Sequence, residues 1–89
     1  VTSIGDEAFQ NCNSLNQISF KKGSSLTYIG NCAFQGCQKL IQIYLPSSVK
    51  KIGNNAFYRC FSLQKVSTYL WFNKIELGIY HNIQFEIKR

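Results

Sequence analysis

The stretch Leu26-Thr27-Tyr28-Ile29-Gly30-Asn31-Cys32-Ala33-Phe34-Gln35-Gly36-Cys37-Gln38-Lys39-Leu40-Ile41-Gln42-Ile43-Tyr44-Leu45 decides the fold, because it occurs three times. Upstream it reads Val1 to Phe20, with Ile4, Gly5, Ala8, Phe9, Cys12, Leu15, Ile18 and Phe20 in the matching columns. Downstream it reads Val49 to Val66, with Ile52, Gly53, Ala56, Phe57, Cys60, Leu63 and Val66. The columns align without internal gaps, Leu15 falling on Leu40 and Leu40 on Leu63. Self-similarity at a period of about two dozen residues is the signature of a solenoid in which each repeat forms one coil.

The first step is slightly longer than the second, and the difference falls in the bridge between coils. Lys21-Lys22-Gly23-Ser24-Ser25 joins Phe20 to Leu26, whereas Pro46-Ser47-Ser48 joins Leu45 to Val49. Length variation confined to this bridge marks it as an exposed turn, and its Gly, Pro and Ser residues are turn formers. Leu15, Ile18 and Phe20, like Leu40, Ile43 and Leu45, put apolar groups on one face of a short strand with polar residues between them. In the segment from Ile through Cys, the spacings of Ala8, Phe9 and Cys12 match one turn of helix. Gly5, Gly30 and Gly53 stand where the chain bends into that turn, so a glycine's freedom from a Cβ is expected to be used for φ. The coil predicted from these pieces is a strand, a short second strand and a helical turn, with coils stacked at about 4.8 Å.

The recurring Ile-Gly-x-x-Ala-Phe-x-x-Cys-x-Ser-Leu-x-x-Ile-x-Leu-Pro resembles the BspA-type (type 5) leucine-rich repeat. The resemblance covers residues 1–67, as repeats 1–25, 26–48 and 49–67. It implies a right-handed parallel β-solenoid with short helical turns, of the kind built into long cell-surface or secreted proteins that adhere to host or neighbour-cell proteins. After Val66 the pattern fades. A further step equal to that from Leu40 to Leu63 would set Phe72, Ile75, Ile79, Tyr80 and Ile83 in apolar columns, with Glu76 at the glycine position and Glu86 at the leucine. Residues 68–89 are therefore expected to form a degenerate last coil or C-terminal cap, in which Tyr69 and Trp71 pack; the rival is a tail foreign to the array. An open end would expose apolar surface and unpaired strand edges.

Composition narrows the function classes. Of the 89 residues 45% are hydrophobic, too many for a disordered chain. No apolar run approaches the roughly 20 residues that a transmembrane helix needs. The absence of methionine and of a visible signal at Val1-Thr2-Ser3 suggests a segment of a longer protein. The net charge of +6 is scattered, with only the doublets Lys21-Lys22 and Lys50-Lys51, which reads as a solvated surface rather than a nucleic-acid tract.

Nothing in the sequence assembles a catalytic or cofactor site. Cys12, Cys37 and Cys60 share one column and are expected to form an interior ladder of thiols packed as hydrophobes, since parallel stacked Cβ vectors disfavour a disulfide. Cys32 shares a variable column with Glu7 and Asn55 and should be more exposed. Cys32 and Cys37 are the nearest approach to a zinc spacing, but the column commits Cys37 to the interior. His81 is the sole histidine, and the acids Asp6, Glu7, Glu76 and Glu86 form no acid–base pair. No metal or cofactor is expected, and the chain is not expected to be an enzyme.

What remains is binding. The outward positions of the longer strands are Gln17, Ser19, Ile41, Gln42, Tyr44, Gln64, Lys65 and Ser67. Ile41 and Tyr44 interrupt an otherwise polar face and are the first contact residues to consider. The leading expectation is a non-catalytic protein-binding module within an adhesin-like surface protein. The alternative is an intracellular scaffold or regulatory segment, which free thiols would suit. A flanking signal peptide and membrane anchor would favour the first, a fused signalling domain the second. A stop or frame change near residue 68 would instead mark a decayed gene fragment.

Overall fold

The computed structural model describes residues 2–88, so Val1, the first residue of the first repeat, lies outside the described residues. Seven short strands appear in chain order: β1 (Ser3–Ile4), β2 (Gln17–Ile18), β3 (Tyr28–Ile29), β4 (Gln42–Tyr44), β5 (Lys51–Ile52), β6 (Lys65–Thr68) and β7 (Gln84–Ile87). They form two wholly parallel sheets, ordered β1-β3-β5 and β2-β4-β6-β7. The chain is thus a parallel β-solenoid of about four turns, as the repeats require. Registers follow the sequence columns: Ile4 pairs with Ile29 and Ile29 with Ile52, while Ile18 pairs with Ile43 and Ile43 with Val66. No helix among the described residues is long and apolar enough to cross a membrane.

The expected helical turn is absent. In its place each coil runs through consecutive tight turns, with Ala8 N–H donating to the Gly5 carbonyl, Gln10 to Glu7 and Cys12 to Phe9. Glu7 and Asn11 are left-handed (φ 60° and 61°), as are Cys32 and Gly36 (57° and 79°) and Asn55 and Arg59 (58° and 63°). Those residues rotate alternate N–H groups sideways onto the next coil. Glu7, Phe9 and Asn11 donate to the carbonyls of Asn31, Ala33 and Gln35 at 3.0, 2.8 and 2.7 Å. Cys32, Phe34 and Gly36 donate to Asn54, Ala56 and Tyr58 at 3.0, 2.8 and 2.8 Å. A helix would have kept those donors within its own coil; the stack uses them between coils, and the spacing of Ala, Phe and Cys serves either conformation.

The core consists of the repeated columns. Ile29, Ala33, Phe34, Cys37, Leu40 and Ile43 of the second coil are all buried, as are Ala56, Phe57, Cys60, Leu63 and Val66 of the third. Phe9, Phe34 and Phe57 stack with ring centroids 5.3 and 5.5 Å apart and planes within 3° of parallel. Such pairs add about 0.5–1.5 kcal/mol beyond the area they bury. A polar ladder lies beside them: Asp6 Oδ1 accepts from the Asn31 N–H, and Asn31 Oδ1 from the Asn54 N–H, both at 2.8 Å.

The glycine column has a different cause from the expected one. Gly5, Gly30 and Gly53 do not adopt positive φ. What excludes a side chain is the coil before. A Cβ on Gly53 would lie 2.5 Å from Asn31 N and 2.7 Å from the Gly30 carbonyl carbon, and one on Gly30 would meet Asp6 in the same way. At Gly5, which has no preceding coil in the structure, a Cβ would meet nothing within 4 Å.

The last turn is shorter than the step from Leu40 to Leu63 would make it. In β7, Phe85 pairs with Val66 and Glu86 with Ser67, whereas the uniform step would have set Glu86 over Leu63. Phe57 N–H donates to the Leu77 carbonyl as Phe34 N–H does to that of Ala56, so Leu77 rather than Ile79 follows Ala56. Leu77 and Ile79 are buried, whereas Tyr80 is 64% exposed and does not extend the phenylalanine stack. Trp71 and Tyr69, expected to be packed, are exposed at 70% and 41%.

Two substitutions test this account. Phe34→Ala is expected to lower unfolding free energy by about 3–5 kcal/mol in urea titration, the cost of emptying a fully buried aromatic position. Gly53→Ala is expected to cost about 1–3 kcal/mol through overpacking against the Gly30 backbone, whereas Gly5→Ala in the same column should stay within about 0.5 kcal/mol.

Candidate interaction face and thiol column

The outward side of the sheet β2-β4-β6-β7 presents two rows. The first is Gln17, Gln42, Lys65 and Gln84, and the second is Tyr44, Ser67 and Glu86. Gln42 Nε2 donates to Gln17 Oε1 at 3.2 Å, and the Tyr44 hydroxyl donates to Gln42 Oε1 at 3.0 Å. Lys65 Nζ lies 3.7 Å from Glu86 Oε1 and 5.7 Å from the centre of the Tyr44 ring. The Ser67 hydroxyl donates to Glu86 Oε1 at 2.9 Å. That hydrogen bond, with the Lys65 ammonium second, holds the Glu86 carboxyl below its usual range.

These contacts sort the residues singled out from sequence. Gln17 and Ser19 are exposed, Gln42, Tyr44 and Lys65 half-buried, and Gln64 exposed beside β6. Ile41 is 44% exposed but precedes β4, at the opposite end of the strand from Tyr44. Ser67 is not an available contact. It is only 1% exposed, because β7 packs alongside and Glu86 covers its hydroxyl. Past the ends of β4 and β6, a groove of about 370 Å³ brings Tyr44 and Ser67 together with Lys21, Lys22, Tyr69 and Lys88. The last four were not among the expected contacts. The signal for the lysine pair was present in the sequence, since the longer bridge that carries it adjoins the strand end occupied by Tyr44.

The cysteines are four free thiols. Cys37 Sγ donates to the Phe9 carbonyl at 3.2 Å and Cys60 Sγ to the Phe34 carbonyl at 3.1 Å, so each thiol is bonded to the coil before its own. Burial raises the Cys37 pKa and pushes that of Cys60 up to about 12, which leaves both protonated and unreactive at neutral pH. Cys12 and Cys32 are half-buried. His81 Nε2 lies 2.7 Å from the Leu63 carbonyl, so it must carry the proton and act as a donor there. No three His, Cys, Asp or Glu side chains among the described residues come together as a metal site.

The family model described as the BspA type leucine rich repeat region matches residues 1–88, in six copies. No curated protein and no solved structure matches the chain.

Thiol labelling and alkaline stability test the column. Under native conditions at pH 8, Cys12 and Cys32 should react with a thiol reagent, while Cys37 and Cys60 should react only at the rate of unfolding. The folded-state pKa of Cys60 lies above the ordinary 9.0, so its contribution to stability is complete below pH 9 and lost as pH rises towards about 12. Cys60→Ala is therefore expected to lower stability at pH 7 but to flatten its decline between pH 9 and 12, read from urea midpoints.

Proposed function

The chain belongs to the BspA-type leucine-rich repeat family, and from that premise we propose that it is a non-catalytic protein-binding module whose contact surface is the outward face of β2, β4, β6 and β7. The observation that carries this reading is the division of labour within each coil. Inward columns form the core and the inter-coil backbone ladders, while the outward rows carry polar and aromatic side chains that lie outside that core. Gln17, Ser19, Ile41, Gln42, Tyr44 and Lys65 are the proposed contacts, and residues 68–89 the cap that closes the repeats at 1–25, 26–48 and 49–67. The family resemblance further supports a place in an adhesin-like protein at the cell surface, with a host or neighbour-cell protein as partner. The four free cysteines favour a second reading, an intracellular scaffold in a reducing compartment.

A binding comparison tests the face. The chain is immobilised and exposed to host-cell surface proteins and, separately, to cytosolic proteins, and retained species are quantified. Tyr44→Ala combined with Gln17→Ala is expected to weaken retention about tenfold or more, as loss of a central aromatic contact does. Lys51→Gln, on the β1-β3-β5 sheet, should leave it unchanged. Equal retention by all three proteins would reject the face, and retention only from cytosol would reject the surface reading.

A further inference from the structure

We propose that the groove past the ends of β4 and β6 binds an extended acidic peptide segment carrying apolar or aromatic side chains between its carboxylates. This rests on the protein-binding reading above and specifies the partner's chemistry. The walls come from different coils: Lys21 and Lys22 from the longer first bridge, Pro46 from the second, and Tyr69 and Lys88 from the last turn. The extra length of the first bridge thus builds one wall and brings its charge.

Electrostatics fixes the sign of the ligand. Lys21, Lys22 and Lys88 line the groove, and none of them pairs with a carboxylate among the described residues. Lys88 Nζ lies 5.9 Å from the centre of the Tyr44 ring, which holds that ammonium group at the groove, while Lys65 lies against the same ring outside the groove lining. The nearby carboxylate, Glu86, is already engaged by Ser67 and Lys65. Glu86 also feels Lys88, but one engaged carboxylate beside Lys21, Lys22 and Lys88 leaves the groove net positive.

The apolar surface fixes the class. The half-buried Phe20 and Pro46 and the exposed Tyr69 interleave with the lysines, so a ligand of charge alone would leave that surface unfilled. Four coils at about 4.8 Å span about 14 Å, which an extended peptide rising about 3.3 Å per residue crosses in about four or five residues. Peptide side chains alternate in direction, so acidic and apolar groups can be presented together at that spacing. A sulfated glycan supplies charge without apolar side chains. A nucleic-acid strand needs successive free aromatic faces for its bases, whereas the Tyr44 ring already carries two lysines and Tyr69 is the one exposed ring left in the groove.

The test is fluorescence anisotropy on the whole chain, with a labelled hexapeptide of alternating aspartate and phenylalanine. Binding is expected at about 25 mM salt and should weaken about fivefold at about 150 mM, because the ammonium groups are exposed to screening. The triple variant Lys21→Gln/Lys22→Gln/Lys88→Gln should weaken it about tenfold with an unchanged circular dichroism spectrum, and the peptide with asparagine for aspartate should not bind. Lack of binding, or binding indifferent to the triple variant, would overturn the proposal. So would a heparin hexasaccharide or an oligonucleotide of equal charge that binds as tightly as the peptide. If the peptide fails while retention of cellular proteins still depends on Tyr44 and Gln17, the acidic specification falls and the protein-binding reading stands.

Discussion

The structure depends on the sideways hydrogen bonds that alternate turn residues of one coil give to the next. Each N–H turned outward from its own coil must find a carbonyl on its neighbour, because a buried unpaired donor costs about as much as a hydrogen bond is worth. That requirement places left-handed residues at Glu7 and Asn11, at Cys32 and Gly36, and at Asn55 and Arg59. It also sets how closely the coils approach, and the rest of the sequence answers to that distance. Phenylalanine rings stack at 5.3 and 5.5 Å, thiols reach the carbonyls of the preceding coil, and Asp6 and Asn31 cap the next backbone. Gly30 and Gly53 are glycine because there is no room between coils for anything larger.

The same constraint explains what could be read from the sequence and what could not. Columns are visible in a sequence whenever like residues stack, so the solenoid, its period and the variable bridge were legible from Ile29, Phe34, Cys37, Leu40 and Ile43 and their counterparts. The helical turn was misread because Ala, Phe and Cys at helix-like spacings satisfy a helix and a run of tight turns equally well. Sideways donation, which separates the two, leaves no mark in side-chain type beyond Asn11, Gly36 and Asn55, since Glu7, Cys32 and Arg59 share the left-handed positions without favouring them. The register of the last turn was hidden for a similar reason. Ile75, Ile79 and Ile83 recur at an even spacing, so several offsets place apolar groups inward, and only the strand pairing of Phe85 with Val66 decides among them.

The interaction face divides along the same line. Gln17, Gln42, Tyr44 and Lys65 were identified as outward from strand alternation alone, which is a local property. Ser67 lies in the same row but is covered by Glu86, a residue whose position depends on the shifted register of β7. The Lys21-Lys22 doublet reads as solvated surface in the sequence, because Lys88 and Tyr69, which complete the groove, are far from it along the chain. Stacking makes neighbours of residues one coil apart, and a groove that crosses four coils is invisible to any pattern read along the chain.

The strand residues of the longer sheet stand over their partners, through coils that shorten from the first step to the last: Ile18 over Ile43, Ile43 over Val66 and Val66 over Phe85. The most direct measurement is nuclear Overhauser contact between backbone protons of neighbouring strands in the isotope-labelled protein. The stacking requires cross-strand contacts linking those three pairs. Contacts placing Glu86 beside Leu63, or medium-range contacts characteristic of a helix from Gly30 to Cys37, would contradict it.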